Sequence, residues 1–164
     1  MSWLLALPFL IPIFTALAAF PARGRPLLCG SISICGCVLM LGIAIAIMIL
    51  VETGGPRAAQ MGDWAAPFGI TLVADRLSAV MLLISAIVGL CVSLFSLSDI
   101  DEKRVKLGFH SFFQLLLAGV CGSFITGDLF NLYVWFEVML IASFALLVLG
   151  EIVSSWMAVL NMSR

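Results

Sequence analysis

The chain has 164 residues, of which 63% are hydrophobic and only 10% charged, and its formal net charge is −1. An ordinary soluble domain carries about 25% charged residues, so this chain, with a mean hydropathy of +1.25, has too little polar surface to coat a soluble globule. With this net charge the chain also has no positive electrostatic field that would attract nucleic acid. The composition therefore predicts an all-α polytopic membrane protein.

The first two apolar stretches are each long enough to cross a bilayer, which takes about 20 mostly apolar residues. The first, 3–20, has two prolines in its first half, where membrane helices tolerate them. A cleaved signal peptide has basic residues before its apolar run, whereas here Arg23 and Arg25 follow it. We therefore predict a retained span at 3–20 and a second span at 27–51.

A loop at 52–75 separates the second span from a third, which is predicted at 77–98. The stretch Phe68-Gly-Ile-Thr-Leu-Val73 within this loop has the composition of a β-strand. A small hairpin over the membrane surface fits that composition. Asp75 stands just before the third span and is predicted to be its N-cap.

The apolar run from Leu107 to Gly150 has 44 residues and would be about 66 Å long as a single helix. Since the hydrocarbon core is only about 30 Å thick, the run must break. Gly127-Asp128 is the predicted break, because glycine can end one helix and aspartate can cap the next. This gives a fourth span at 109–126, a fifth at 128–149, and a divergent tail at 151–164.

The positions of lysine and arginine near the span ends predict the orientation, since these residues favour the cytoplasmic side. They concentrate in the first and third connectors, as Arg23, Arg25, Lys103, Arg104 and Lys106. The loop 52–75 has only Arg57, with Arg76 at its far edge. We therefore expect this loop and the N-terminus to lie outside the cytoplasm.

Glu137 is the only charged residue between Asp128 and Glu151 and falls close to the middle of the fifth span. A charged side chain at that depth costs about 2.5–3.5 kcal/mol on insertion scales, so it normally faces a bundle interior or a water-filled cavity and marks a proton or ion site. Tyr133 lies one turn away and could hydrogen-bond to Glu137. The structural alternative is a hydrogen-bonded glutamate that locks two helices together.

The five predicted spans contain no lysine or arginine, so a cationic partner for Glu137 must come from another polypeptide or from sequence beyond Arg164. A carboxyl balanced between desolvation and a nearby cation can exchange protons near neutral pH. His110, at the start of the fourth span, is a second candidate as the point where protons enter at the cytoplasmic edge. The alternative is that His110 is a polar residue at the membrane interface with no role in transport. Gln114 lies one turn deeper in the same span, and the two residues suggest that water reaches this end of it.

The five cysteines lie in apolar segments and form no CxxC pair. The only histidine, His110, is distant in sequence from most of them. We therefore predict neither a metal site nor a disulfide framework, and interpret the cysteines as small apolar residues packed inside helices.

The string Thr126-Gly-Asp-Leu-Phe-Asn-Leu-Tyr-Val-Trp-Phe-Glu137, with Leu4–Pro12 and Gly69–Ser78, resembles the MrpD subunits of the Mrp-type multisubunit sodium/proton antiporters. The resemblance runs over about residues 3–150. That family is homologous to the antiporter-like subunits in the membrane arm of respiratory complex I and of related hydrogenases. The resemblance implies that Glu137 works with a lysine on a later, broken helix, which lies in the part of the family fold that this chain lacks.

The resemblance implies a component of a proton-coupled Na⁺/H⁺ antiporter in a bacterial cytoplasmic membrane, incomplete alone. It implies a transporter subunit rather than an enzyme, with no cofactor, and with the other subunits of an Mrp-type complex, protons and Na⁺ as partners. One alternative is a proton-pumping membrane-arm subunit of an NADH–quinone oxidoreductase or a membrane-bound hydrogenase. Another is a truncated fragment that is non-functional or serves only in assembly.

Overall fold

The computed structural model describes residues 2–61 and 69–162, with side chains described as far as Glu151. The described part of the chain consists of these elements: α1 (Ser2–Ala22), α2 (Pro26–Gly54), β1 (Arg57–Gln60), β2 (Thr71–Ala74), α3 (Arg76–Asp99), α4 (Glu102–Lys106), α5 (Phe109–Ile125) and α6 (Leu129–Met162). Within these residues, four helices are long and apolar enough to cross a membrane, and α5 is a shorter apolar helix. The predicted all-α polytopic fold with about five membrane helices is confirmed.

The break between α5 and α6 lies where the sequence predicts it. Helix α5 ends at Ile125, and α6 begins at Leu129. The Asp128 carboxylate accepts a hydrogen bond from the backbone N–H of Phe130 at 3.0 Å. This bond satisfies one of the donors that the start of a helix leaves free, so Asp128 caps α6 as predicted.

The loop between α2 and α3 contains an antiparallel hairpin, in which Arg57 pairs with Ala74 and Gln60 with Thr71. The hairpin also contacts the break between α5 and α6, because the N–H of Gly127 donates to the carbonyl of Thr71 at 2.8 Å. Leu72 forms a β-bridge with Thr126. The hairpin therefore holds this end of α5 and α6 in place.

Helix α6 extends to Met162, beyond the predicted limit of 149. Gly150 does not end it, because a single glycine in a helix costs only about 1 kcal/mol relative to alanine. No proline follows it in the sequence. The part of α6 that is apolar enough to span a membrane is Leu129–Glu151.

The helices pack around α5, which contacts α1 on one side and α6 on another, while α2 packs against α1 and α3. Buried apolar side chains from several helices fill the centre, including Leu5, Met40, Ile47, Leu82 and Ile125. Helix α6 is the least covered of the spans. Only 11% of its apolar window is buried, against 28–39% in the three other long spans, so α6 presents a large uncovered face.

Asp75 caps α3 as predicted, since its carboxylate accepts a hydrogen bond from the backbone N–H of Ser78 at 2.7 Å. That bond holds the pKa of the Asp75 carboxyl below its usual range. The charged cap therefore stabilises the fold above the unfolded-state pKa, and this contribution is lost as the pH falls through the folded-state pKa. We expect Asp75→Ala to lower the free energy of unfolding by about 1 kcal/mol near pH 7, as measured by thermal unfolding in detergent.

Asp75→Asn is the matched control, because an asparagine keeps the cap but cannot ionise. We expect it to retain most of the stability near pH 7 and to lose the part of the acid sensitivity that Asp75 contributes. If the free energy of unfolding of Asp75→Asn fell at low pH just as it does in the unmodified chain, this role for the carboxylate would be contradicted.

Candidate functional site

Glu137 lies eight residues into α6, about 12 Å along the helix axis from its start. The flanking residues Trp135 and Met139 face Gly122 and Gly119 of α5. These glycines lie in the middle and second half of the 17-residue α5. Glu137 therefore lies deep within the span, as the sequence predicts.

The side of α6 that carries Glu137 is turned away from the other helices. Trp135 and Met139 contact α5, and at 100° per residue Glu137 lies about 160° from each of them. Glu137 itself is exposed. It is not inside the chain's own bundle, although the sequence predicts an inward position, because the complementary surface for α5 is made by the opposite side of α6.

The face around Glu137 is otherwise apolar, apart from Tyr133. The helical spacing places five residues on the same face as Glu137, and all five are exposed: Phe130 at 74%, Tyr133 at 62%, Ile141 at 67%, Phe144 at 63% and Val148 at 48%. The Tyr133 hydroxyl lies close enough to the Glu137 carboxylate for an electrostatic interaction. The pairing of Tyr133 with Glu137 stays a prediction, which their places on one exposed face of α6 permit.

No cation accompanies this pair within residues 2–61 and 69–151. Ion pairs elsewhere in these residues include Arg76 with Glu52 at 3.3 Å and Lys106 with Glu102 at 3.5 Å, both on exposed surface near the ends of helices. A carboxylate at this depth faces lipid only at high cost. An element that covered this face and supplied a positive charge, water or a hydrogen-bond donor would lower that cost, as would protonation of the carboxyl.

His110 lies in the first turn of α5 and is buried, with 1% exposure. Its side chain therefore lies between the helices of the bundle, and both its predicted role in proton entry and the interfacial alternative stay predictions. From His110 to Gly119, which lies near the level of Glu137, α5 rises about 13.5 Å. The structure thus brings Glu137 and Tyr133 together but leaves His110 apart from them.

Gln114 is also fully buried and makes contacts that the sequence does not reveal. Its side-chain amide donates to the Ser33 hydroxyl at 2.9 Å and to the Ser33 carbonyl at 3.0 Å. Serine and cysteine are common in apolar helices, so Ser33 carries little signal by itself. The only signal in the sequence is that Ser33 and Cys37 are four residues apart in α2, which places both on one side of the helix.

Known proteins resemble this chain over part of their own length. No family model matches it. It is 41% identical over 144 residues to the D subunit of a Na⁺/H⁺ antiporter from Bacillus subtilis and 43% identical over 150 residues to that from Alkalihalophilus pseudofirmus. It is also 41% identical over 154 residues to the D subunit of a probable K⁺/H⁺ antiporter from Rhizobium meliloti. These matches cover 88%, 92% and 90% of this chain but only 29%, 30% and 28% of the relatives.

Two solved assemblies contain chains of similar fold. A chain of the Mrp complex from Dietzia sp. DQ12-45-1b has a TM-score of 0.78 and 29% identity, over 87% of this chain and 27% of that one. A chain of the membrane-bound sulfane sulfur reductase, an archaeal respiratory membrane complex, has a TM-score of 0.79 and 27% identity, over 86% of this chain and 29% of the other. The same arrangement of helices therefore occurs in an Mrp complex and in a respiratory membrane complex.

Proposed function

We infer that this chain, which is homologous to part of the D subunits of multisubunit Na⁺/H⁺ antiporters, is a membrane component of a proton-coupled monovalent-cation antiporter complex. The chain spans less than a third of the length of those relatives. We therefore assign transport to the assembly, with this chain supplying the Glu137 site. Its partners are other subunits of an Mrp-type complex, and its ions are protons and a monovalent cation such as Na⁺.

The observation that carries this proposal is the exposed Glu137 carboxylate on the uncovered face of α6, with no other charged residue between Asp128 and Glu151. Lipid alone would leave the charge of Glu137 without compensation. A helix that brings a lysine to this face would compensate it, and the pair would gain or lose a proton as the separation of its charges changes. Such a lysine is also what the family resemblance implies. Tyr133 positions the Glu137 carboxylate in this scheme.

The proposed location is a bacterial cytoplasmic membrane with the N-terminus outside. The basic connectors around Arg23 and Lys103 then lie in the cytoplasm, and the β1–β2 hairpin lies outside. In that orientation Glu137 lies about 12 Å from the outer end of α6. His110 lies near the cytoplasmic end of α5, where a proton on its way inward or outward would pass.

A second candidate function is proton pumping within the membrane arm of a redox complex. The observation in its favour is the TM-score of 0.79 to a chain of an archaeal respiratory membrane complex. The carboxylate chemistry is the same in both functions. The neighbouring reading frames distinguish them, because a redox complex is encoded with subunits that carry cysteine-rich cluster motifs, whereas an antiporter is encoded with small membrane subunits.

Everted membrane vesicles from a host without antiporters of its own test the proposal. We expect added Na⁺ or K⁺ to dissipate the pH gradient when the chain and the proteins encoded beside it are all present, and not when any of them is omitted. Dissipation that is unchanged without this chain would contradict the proposal and favour an assembly-only or inactive fragment. Proton pumping driven by a reductant, with no response to Na⁺ or K⁺, would favour the redox function.

A further inference from the structure

A buried polar cluster joins α2, α3 and α5 on the side of the bundle near the α3–α5 connector. Each of its members has an exposure of 4% or less: Ser33, Cys37, Ser93, His110, Ser111 and Gln114. The three helices thus bring six polar side chains into a bundle whose other interior side chains are mostly apolar. Burying polar groups in this way is favourable only if their hydrogen bonds are made.

Part of the polar cluster is hydrogen-bonded across the helices. Besides its bonds to Ser33, the Gln114 amide donates to the Cys37 sulfur at 3.3 Å. The Ser93 hydroxyl lies 3.4 Å from that of Ser33 and 3.2 Å from the Cys37 sulfur. These contacts use the donor side of the Gln114 amide and fix its orientation.

Other atoms of the cluster are left without a bond. Among the residues that the structure describes, no group hydrogen-bonds to His110 Nδ1, Ser111 Oγ or Gln114 Oε1, and all three atoms are buried. They belong to residues i, i+1 and i+4 of one helix, which lie within about 100° of its circumference. An unsatisfied buried polar atom costs about 1–3 kcal/mol, so three together would be a serious penalty.

We propose that the buried polar cluster binds internal water, with His110, Ser111 and Gln114 supplying the groups that hold it. Water suits these atoms because it both donates and accepts and typically makes about three hydrogen bonds to buried polar groups. Gln114 Oε1 accepts a hydrogen bond from it, the Ser111 hydroxyl donates or accepts, and His110 Nδ1 does either according to its tautomer. The cluster contains no carboxylate, so its chemistry favours a neutral ligand over a cation.

This water site is independent of the proposed transport role of Glu137, which lies on a different helix. From His110 to Gln114 it extends about 6 Å along α5, starting in the first turn of that helix. The site therefore hydrates the interior of the bundle from the connector end inward.

Radiolytic hydroxyl labelling tests the proposal on the full chain in lipid nanodiscs, because bound water is converted to radicals where it sits and oxidises adjacent side chains. Cys37 and Cys121 form a matched pair of fully buried free thiols. The Cys37 sulfur accepts a hydrogen bond from the Gln114 amide, whereas the hydrogen-bond partner found for the Cys121 thiol is the Met40 sulfur at 3.8 Å. We expect Cys37 to be oxidised about fivefold faster than Cys121 or more, because only Cys37 has water beside it.

A second comparison uses Gln114→Leu, which keeps the approximate volume and removes the amide. We expect the oxidation rate of Cys37 to fall to that of Cys121 in this variant while the rate of Cys121 is unchanged. Equal oxidation of the two cysteines in the unmodified chain would overturn the proposal, and this comparison needs no variant to fold. A Cys37 rate that is unaffected in a folded Gln114→Leu chain would also overturn it.

Discussion

We expect Glu137→Gln to abolish the cation-dependent dissipation of a pH gradient by the complete complex, while membrane insertion and assembly stay normal. Glutamine keeps the shape of the side chain and can still hydrogen-bond to a neighbouring hydroxyl, but it cannot bind and release a proton at neutral pH. Because the proposed coupling depends on that proton, the loss should be complete rather than partial. The measurement is antiport in everted vesicles, with immunodetection of the chain in the assembled complex.

Asp128→Asn is the matched control, since it makes the same change of acid to amide at the start of the same helix. Asparagine caps helices about as well as aspartate, so the bond to the Phe130 N–H can be kept. We expect near-normal antiport and a loss of stability of about 1 kcal/mol or less. Normal antiport in Glu137→Gln vesicles with equal amounts of complex would remove Glu137 from the mechanism, whereas loss of antiport in Asp128→Asn would give that residue a role in transport.

The membrane helices could be predicted from the sequence because their ends carry strong local signals. Length and apolarity identify the spans, and the glycine and capping aspartate at 127–128 divide a run that is too long for one helix. The resemblance to the MrpD subunits, which depends on the string ending at Glu137, is confirmed by relatives at 41–43% identity. These features depend on residues that are close together in the chain.

The direction in which Glu137 faces could not be predicted in the same way. Helix α6 is apolar almost all round, so its pattern does not distinguish a packed side from an uncovered one. The packed side is chosen by shape, because Trp135 and Met139 fit over Gly122 and Gly119. The buried polar cluster could not be predicted for a related reason. Ser33 lies 60 residues from Ser93 and 81 residues from Gln114 in sequence, and only the packing of α2, α3 and α5 brings them together.

Gly122→Leu is expected to have the largest effect on the fold, because α5 and α6 touch at this residue. A Cβ atom built on Gly122 would lie 2.7 Å from Cε3 of the Trp135 indole, and one on Gly119 would lie 2.6 Å from Cγ of Met139 and 3.2 Å from the Trp135 carbonyl. Neither position has room for a side chain, because at Gly122 the Trp135 indole would have to move and at Gly119 the backbone of α6 would have to move as well. Close approach through small residues is what holds helices together in lipid.

We expect Gly122→Leu to lower the free energy of unfolding in detergent by about 3 kcal/mol, at the upper end of the cost of overpacking a well-packed core. Gly42→Leu is the control: Gly42 is also within a membrane helix, but a Cβ there meets nothing within 4 Å, so the same change should be neutral or slightly stabilising. The outward position of Glu137 depends on Trp135 and Met139 being seated on α5. If Gly122→Leu proved as stable as Gly42→Leu, that seating would be absent, and the assignment of Glu137 to the uncovered face would fall with it.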